Sequence, residues 1–404
     1  MKKDVQLKRV ISLPFLIFYG VGTIVGGGFY ALLGEVVGAA GFFTPIALML
    51  ATLIALFSAL SYAELSSRYP VSAGEAYYVK QAFSSSSLSF MVGWLVIFTG
   101  VVSTATLTVA MAGFLSELLH LSHTIYVIGV VLLMTLVAIW GIKESVWFAT
   151  IVTVIEVGGL FFIIYIASDG FLSLQENYEA LVPPMTLEVW QGILIGIFLI
   201  FYAFIGFEDM VNIAQEVKDV KRTLPIAIIS SISITFVLYL LVSVIAIFSM
   251  DLEIFANSKA PLAEIAKQNG HLSYLIVWSI GILAGLNGAL VQIVMASRVL
   301  YGISQKREKM EIFTRVNAKT QTPIYATIVI ALIVLLLALQ FDLVFLAKTT
   351  STIILVLFIL INLALIKIKT RDGNHDGYTI SIWLPILGLL SSLTILVFHM
   401  MHLF

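Results

Sequence analysis

The chain has no cysteine in 404 residues. That excludes a disulfide framework, a thiolate nucleophile and thiolate metal ligation, and it leaves the compartment open. Charge is also scarce. Asp, Glu, Lys and Arg make up 11% of the residues and nearly cancel, for a net charge of −1. So even a balance offers no electrostatic footprint for nucleic acid, and no nucleic-acid partner is expected. The six histidines all fall at the ends of apolar segments or between them. No buried histidine relay, no metal site and no cofactor are therefore expected. Gly-x-x-x-x-Gly-Lys-Ser/Thr, His-Glu-x-x-His and Gly-x-Ser-x-Gly are missing from the sequence. Their absence argues against an ATP-driven pump, a zinc hydrolase or a serine hydrolase in this chain, so no enzyme is expected.

What the chain has is apolar length. Hydrophobic residues are 60% of the total, and runs between charges repeatedly exceed the roughly 20 residues that cross a bilayer. The reading is an all-α polytopic membrane protein, a single transmembrane domain over 1–404. Eleven spans are expected: Ile11–Leu33, Phe42–Ser66, Phe90–Leu119, Thr124–Gly141, Val146–Ala167, Trp190–Ile213, Ile226–Met250, Tyr274–Ser304, Ile324–Leu339, Leu343–Ile368 and Ile382–Leu403. The first is too long for a signal-peptide core and is read as a retained helix.

Basic residues orient the spans, because Lys and Arg concentrate on the cytoplasmic side. With the N-terminus inside, Lys2, Lys3, Lys8, Arg9, Arg68, Lys80, Lys143, Lys218, Lys221, Arg222, Lys306, Arg307, Lys309, Arg315, Lys319, Lys367, Lys369 and Arg371 are cytoplasmic. Only Lys259, Lys267 and Lys348 fall outside, and Arg298 lies within the eighth span. The loop from Ser168 to Glu188 carries acids and no base, so it is expected outside. Eleven spans then put the C-terminus outside, with His399 and His402 near that surface.

Proline sits near span ends (Pro14, Pro45, Pro225, Pro323, Pro385) or in loops (Pro70, Pro183, Pro184, Pro261), where a missing N–H is tolerated. Breaks inside the membrane must come from other residues. One is expected at Val25–Gly28, where three glycines follow one another. Helix packing alone needs a small residue only every fourth position. A second is expected in the sixth span, around Gly206-Phe207-Glu208-Asp209. Acids are costly at a helix centre and favoured at a helix N-terminus, so Glu208 and Asp209 are expected to open a second half-helix running to Glu216. Breaks five spans apart are the pattern of two inverted repeats, about 11–168 and 190–368, with an extra helix at about 382–403.

Several segments resemble the amino acid–polyamine–organocation (APC) superfamily. They are Gly20, Gly22, Ile24, Gly26 and Gly28 in the first span, with Tyr30 where that pattern usually has Phe; Tyr62-Ala63-Glu64-Leu65-Ser66-Ser67-Arg68-Tyr69-Pro70 followed by Gly74 and Tyr77; Phe204-Ile205-Gly206-Phe207-Glu208 with Glu216-Val217, Arg222 and Pro225; and Ala296-Ser297-Arg298-Val299-Leu300-Tyr301 with Thr322-Pro323. The resemblance implies a LeuT-type fold, a 5+5 inverted repeat with helices 1 and 6 broken. It implies an amino acid permease of the plasma membrane, working by alternating access as a symporter or antiporter driven by H+, Na+ or exchange. Many such proteins have twelve helices, and this chain departs from them after the core. A non-transporting membrane sensor for amino acids is the alternative; appended soluble domains would favour it. A channel fits less well, since no charged ring or filter sequence is visible.

The same segments suggest a site for a zwitterion. In a dry site its carboxylate and ammonium both need fixed partners. N–H groups of Gly26, Gly27, Gly28 and Phe29 can hold the carboxylate without a basic side chain. Carbonyls of Thr23, Ile24, Val25, Tyr202, Ala203, Phe204 and Ile205, near Gly206, can accept from the ammonium. The rings of Tyr202 and Phe204 are expected to cover the ligand. Glu156, in the middle of the fifth span, is an intramembrane carboxylate and so a functional candidate, with Asn287 as its expected polar neighbour. In proton-coupled relatives this position often bears a lysine, as the resemblance aligns it. Glutamate here either takes up a proton itself, supports a bound cation, or is structural. Glu64 with Arg68, Glu208 with Asp209, and Arg298 are candidate gating groups; an interfacial ion pair, a helix cap and a snorkelling side chain are the plainer readings of each, and discrimination of cationic substrates is a third reading of Glu208 with Asp209. Ser103, Thr104 and Thr106 either line the pocket or bond their own helix.

Overall fold

The computed structural model describes residues 9, 11–71, 74–118, 120–140, 142–305, 308–317, 320, 322–373 and 375–401. Lys2, Lys3, Lys8, Lys306, Arg307, Lys319, His402 and the expected span ends at Leu119, Gly141 and Leu403 lie outside them, as do the side chains of Lys143 and Lys309.

Helices form almost everything. They are α1 (Leu13–Ile24), α2 (Gly27–Ala40), α3 (Thr44–Arg68), α4 (Gly74–Phe83), α5 (Ser86–Leu118), α6 (His123–Trp140), α7 (Ile142–Ile166), α8 (Asp169–Asn177), α9 (Leu187–Phe201), α10 (Val220–Ser249), α11 (Leu252–Asn257), α12 (Pro261–Lys267), α13 (His271–Ser304), α14 (Ile324–Gln340), α15 (Leu343–Asp372) and α16 (Trp383–Met401). Among the described residues, nine apolar segments are long enough to cross a membrane, and Leu13–Ile24 and Ile324–Gln340 are shorter apolar helices. Large apolar side chains stand exposed on α6, α14 and α16, among them Leu132, Leu136, Leu336, Leu390 and Trp383. Such a continuous apolar exterior suits lipid rather than water, and the protein is a multi-pass membrane protein.

The first span breaks where the glycines predict, though over fewer residues. The Val25 N–H still closes the last turn of α1 on the Val21 carbonyl. Gly26, at φ −43° and ψ −179°, leaves the helical conformation, and α2 starts at Gly27 with no side chain capping it. The sixth span breaks differently from expectation. α9 tightens into a 3-10 turn at Tyr202–Phe204, and Ile205 is extended. Gly206 takes φ +130°, a conformation glycine alone adopts cheaply. The arm that follows, Glu208–Glu216, is a 3-10 helix rather than an α half-helix, and its N-cap Phe207 makes no side-chain cap. Glu208 does not cap the arm. Its Oε2 instead accepts from the N–H of Gly206 at 2.9 Å, inside the break.

The two broken spans run in opposite directions. Ile11, just before α1, donates its N–H to the Glu216 carbonyl and accepts from Lys218 N–H, at 3.0 and 2.9 Å. Span one therefore begins on the face where span six ends. That face also carries Arg68, Lys369 and Arg371 and is the basic face of the protein.

Around the paired breaks, α13 packs along α5 and α7, α10 along α1 and α3, and α2 along α9. The glycines at the first break serve this packing too. A Cβ on Gly27 would lie 2.5 Å from the Gly285 Cα, and one on Gly26 would lie 3.4 Å from the Gly288 Cα. Break and helix packing, weighed as alternatives from the sequence, occur together.

Several connections hold structure that hydropathy does not reveal. α8 occupies the expected loop at 168–188, and Pro261, expected in a loop, starts α12 as a buried residue. Pro225 lies inside α10, one turn from its start.

Candidate functional site

A small cavity of about 30 Å³ lies where the two breaks face each other. The first break contributes Thr23, Ile24, Gly26, Gly27 and Gly28; the second contributes Tyr202, Ala203 and Ile205. α5 adds Ser103 and Leu107, and α13 adds Gly288, Val291 and Gln292. Of the expected ligand residues, Val25, Phe204 and Gly206 do not line it. Val25 is packed in the core. The Phe204 ring stands edge-on to Tyr239 at 5.6 Å, behind the break. Gly206 presses against the Thr23 carbonyl, which a Cβ would strike.

Tyr202 is held across the cavity. Its hydroxyl lies 2.9 Å from that of Ser103. Gly28 leaves room for the ring, because a Cβ there would come within 2.8 Å of Tyr202 Cε1. Thr104 and Thr106 bond the carbonyls of Gly100 and Val102 in their own helix; Thr106 also interacts with the Tyr202 hydroxyl, and Ser103 lines the cavity.

The backbone groups at the breaks have different fates. No side chain caps the first N–H groups of α2, and these N–H dipoles at a helix start suit an anion. On the carbonyl side, the Tyr202 carbonyl accepts from Ile205 N–H. The Tyr239 hydroxyl reaches the Ile24 carbonyl at 3.0 Å and the Ala203 carbonyl at 3.4 Å. Tyr239 thus bridges both breaks, and its ring stacks on Phe29 at 3.8 Å. A tyrosine within an apolar run gives no sequence signal for this. Tyr239→Phe would leave a buried carbonyl short of a donor, which costs about 1–3 kcal/mol. The expected outcome is a roughly 5- to 100-fold weaker apparent substrate affinity with normal membrane insertion, read by uptake kinetics.

Glu156 is fully buried, behind the first break. Asn287 donates to its Oε1 at 3.0 Å and contacts the Thr153 hydroxyl at 3.5 Å. Tyr30 donates to the Glu156 backbone carbonyl at 2.8 Å. Glu156 Oε2 and Asn287 Oδ1 have no hydrogen-bond partner. Gly285 and Gly288, on either side of Asn287, are the residues packed against Gly27 and Gly26. Two backbone contacts thus join the segment that carries Asn287, the partner of Glu156, to the break.

The expected gating groups separate. Glu64 is buried and takes Arg68 at 2.6 Å, Lys369 at 2.9 Å and the Ile380 N–H at 2.8 Å. Arg68 also donates to the Gly373 carbonyl. This network clamps α3 to the end of α15 and the segment before α16, and none of it lines the cavity. Arg298 is exposed and makes no ion pair among the described residues; Tyr19 and Glu216 are its electrostatic neighbours. Asp209 accepts from Gln292 Nε2 at 3.0 Å. Gln292, missed from the sequence, thus connects the cavity to the acids below it. Among the described residues no group of His, Cys, Asp and Glu is arranged to hold a metal ion.

Comparison with known proteins agrees with this architecture. The family model described as amino acid permease matches residues 10–403. The chain is 28% identical over 427 residues to a protein of Arabidopsis thaliana named cationic amino acid transporter 3, mitochondrial, covering 95% of this chain and 68% of that one. It is 27% identical over 391 residues to the branched-chain amino acid permease BcaP of Bacillus subtilis, covering 91% and 83%. A crystal structure of a manganese transporter mutant from Eremococcus coleocola superposes with a TM-score of 0.62 at 14% identity, covering 99% of this chain and 90% of that one. At that identity the likeness is one of fold.

Proposed function

We propose that this chain, which belongs to the amino acid permease family, is a secondary active transporter that carries amino acids or related amines by alternating access. Its relatives are transporters, not enzymes, and their names as permeases and carriers favour transport over non-transporting sensing. The observation that carries the reading is the pairing of two broken, oppositely directed spans around one cavity. Half-helix ends at mid-membrane are where such carriers bind substrate.

In this reading the N–H groups of Gly26, Gly27, Gly28 and Phe29 hold the carboxylate. Carbonyls around Thr23 and Ile205 take the ammonium, and the Tyr239 hydroxyl, bonded to those of Ile24 and Ala203, holds the two breaks in place beside it. Tyr202, tied to Ser103, closes over the ligand. Glu156 with Asn287 is the ion-coupling pair, for H+ or Na+. The unpartnered oxygens on both side chains support this, because a proton or a cation would satisfy them.

The core consists of two repeats, about 11–168 and 190–368, followed by the helix at 382–403. The basic face is cytoplasmic, with the N-terminus on it, the C-terminus outside, and the protein in the cell membrane. The test is uptake by proteoliposomes over a panel of labelled amino acids, with proton and sodium gradients imposed separately. Saturable uptake of one amino acid class under one gradient is expected; no uptake of any amino acid or amine under either gradient, or in exchange, would overturn the reading.

A further inference from the structure

Between the cavity and the basic face lies a polar group to which the transport reading gives no task. Three carboxylates meet there from two elements. Glu75 comes from the first turn of α4, and Glu208 and Asp209 from the start of the 3-10 arm. Their residues are 3%, 4% and 4% exposed, and Glu75 acts electrostatically on both of the others.

Their partners are all neutral. Tyr62 of α3 donates to Glu75 Oε1 at 3.3 Å. Gln292 of α13 donates to Asp209, and the Gly206 N–H to Glu208. Tyr78, on α4 itself, is an electrostatic neighbour of Glu75, and Tyr19 of α1 is one of Asp209. No Lys, Arg or His among the described residues forms an ion pair with any of the three. Three buried polar atoms of the group are without a partner: Glu208 Oε1, Gln292 Oε1 and Tyr78 Oη.

Like charges buried together without a counter-ion cannot all stay ionised, so something must neutralise them. The residues are not arranged to ligate a metal ion. A substrate ammonium or guanidinium does not reach them in this conformation, because none of the three lines the cavity. A proton needs no room.

We propose that Glu75, Glu208 and Asp209 form a proton-binding centre, separate from Glu156, that latches α4 onto the broken arm of span six while the site is shut from the basic face. The inference rests on the transport reading for its purpose, not for its chemistry. The latch has a contact surface: Gly74, with φ +35°, lies so close to the arm that a Cβ would be 2.9 Å from both Asn212 Oδ1 and Val211 Cγ2. Burial raises the Glu75 carboxyl from 4.5 to about 7. A carboxyl raised in the packed state keeps its proton there while a hydrated one has lost it. Packing of α4 is therefore unopposed below 4.5 and weakens as pH rises towards about 7. Acid shuts the basic side; loss of protons to that side opens it.

The absence of native cysteine allows a direct test with Val291→Cys, which places one thiol in the cavity wall. Vesicles exposing the basic face are labelled with an impermeant maleimide, and the rate is divided by that of the denatured protein at the same pH. The corrected rate is expected to rise about tenfold between about pH 5.5 and about pH 8. Adding Glu75→Gln should hold the rise below about twofold. Tyr62→Phe removes a donor that favours the Glu75 anion, so it should move the midpoint to higher pH while keeping the full amplitude. A flat parent profile, an unchanged profile in Glu75→Gln, or a Tyr62→Phe midpoint that stays put or moves to lower pH would overturn the proposal. Labelling needs no substrate. Absent uptake with pH-dependent labelling overturns the transport reading alone, and normal uptake with flat labelling overturns the latch alone.

Discussion

Replacing Gly206 by alanine is expected to abolish uptake while the protein still reaches the membrane. Two independent observations converge on this residue. Its φ of +130° is strained for any side chain, at about 1–3 kcal/mol. Its missing Cβ is also what lets the Thr23 carbonyl of the other break approach. Relief requires the two breaks to move apart, and backbone on both sides leaves little else to yield. The cavity exists only because those breaks face each other, so a shift of about 1 Å spreads the groups that must grip one ligand together. A loss of more than about 100-fold in uptake is expected, larger than for alanine at Gly302, where a Cβ meets nothing within 4 Å. Equal, small effects at both positions would show that the breaks are not held in register by Gly206.

Glu156→Gln is expected to uncouple transport rather than stop it. Glutamine keeps the shape and an acceptor for Asn287, and it permanently supplies the donor that a protonated carboxyl would supply. Exchange of substrate across the membrane should persist near its normal rate. Accumulation driven by an imposed proton gradient should fall about tenfold or more, to the equilibrative level. The pH dependence of uptake should weaken with it, leaving the part that α4 imposes. If the rate and its pH dependence are both unchanged, Glu156 is a structural, hydrogen-bonded side chain and coupling lies elsewhere.

What the sequence makes legible follows from the physics of each feature. Spans are readable because lipid demands long uninterrupted apolar runs. Breaks are readable because consecutive glycines and buried acids disfavour a continuous helix. The local form of the second break is not readable. Whether the chain after Glu208 winds as an α-helix or a 3-10 helix depends on how it lies against α1 and α3, and the same path turns the Phe204 ring away from the cavity. Tyr239, Gln292 and Glu75 are illegible for another reason. Each acts on a residue far away in the chain, and a tyrosine or glutamine in an apolar run has the same local signature whether it packs or bridges. Glu64 and Arg68 show the limit in reverse. Their spacing predicts an ion pair, and a pair is present, but Lys369 and Ile380 make it a clamp between helices.

In the proposed mode of binding, the first break grips the substrate carboxylate by backbone N–H groups while carbonyls hold its ammonium. The most direct measurement of this mode is competition, in proteoliposomes, between a transported labelled amino acid and three unlabelled forms of it: free, carboxyl-esterified and N-acetylated. Only the free form is expected to compete, with either blocked analogue weaker by about 100-fold or more. An ester that competes as well as the free amino acid would contradict it.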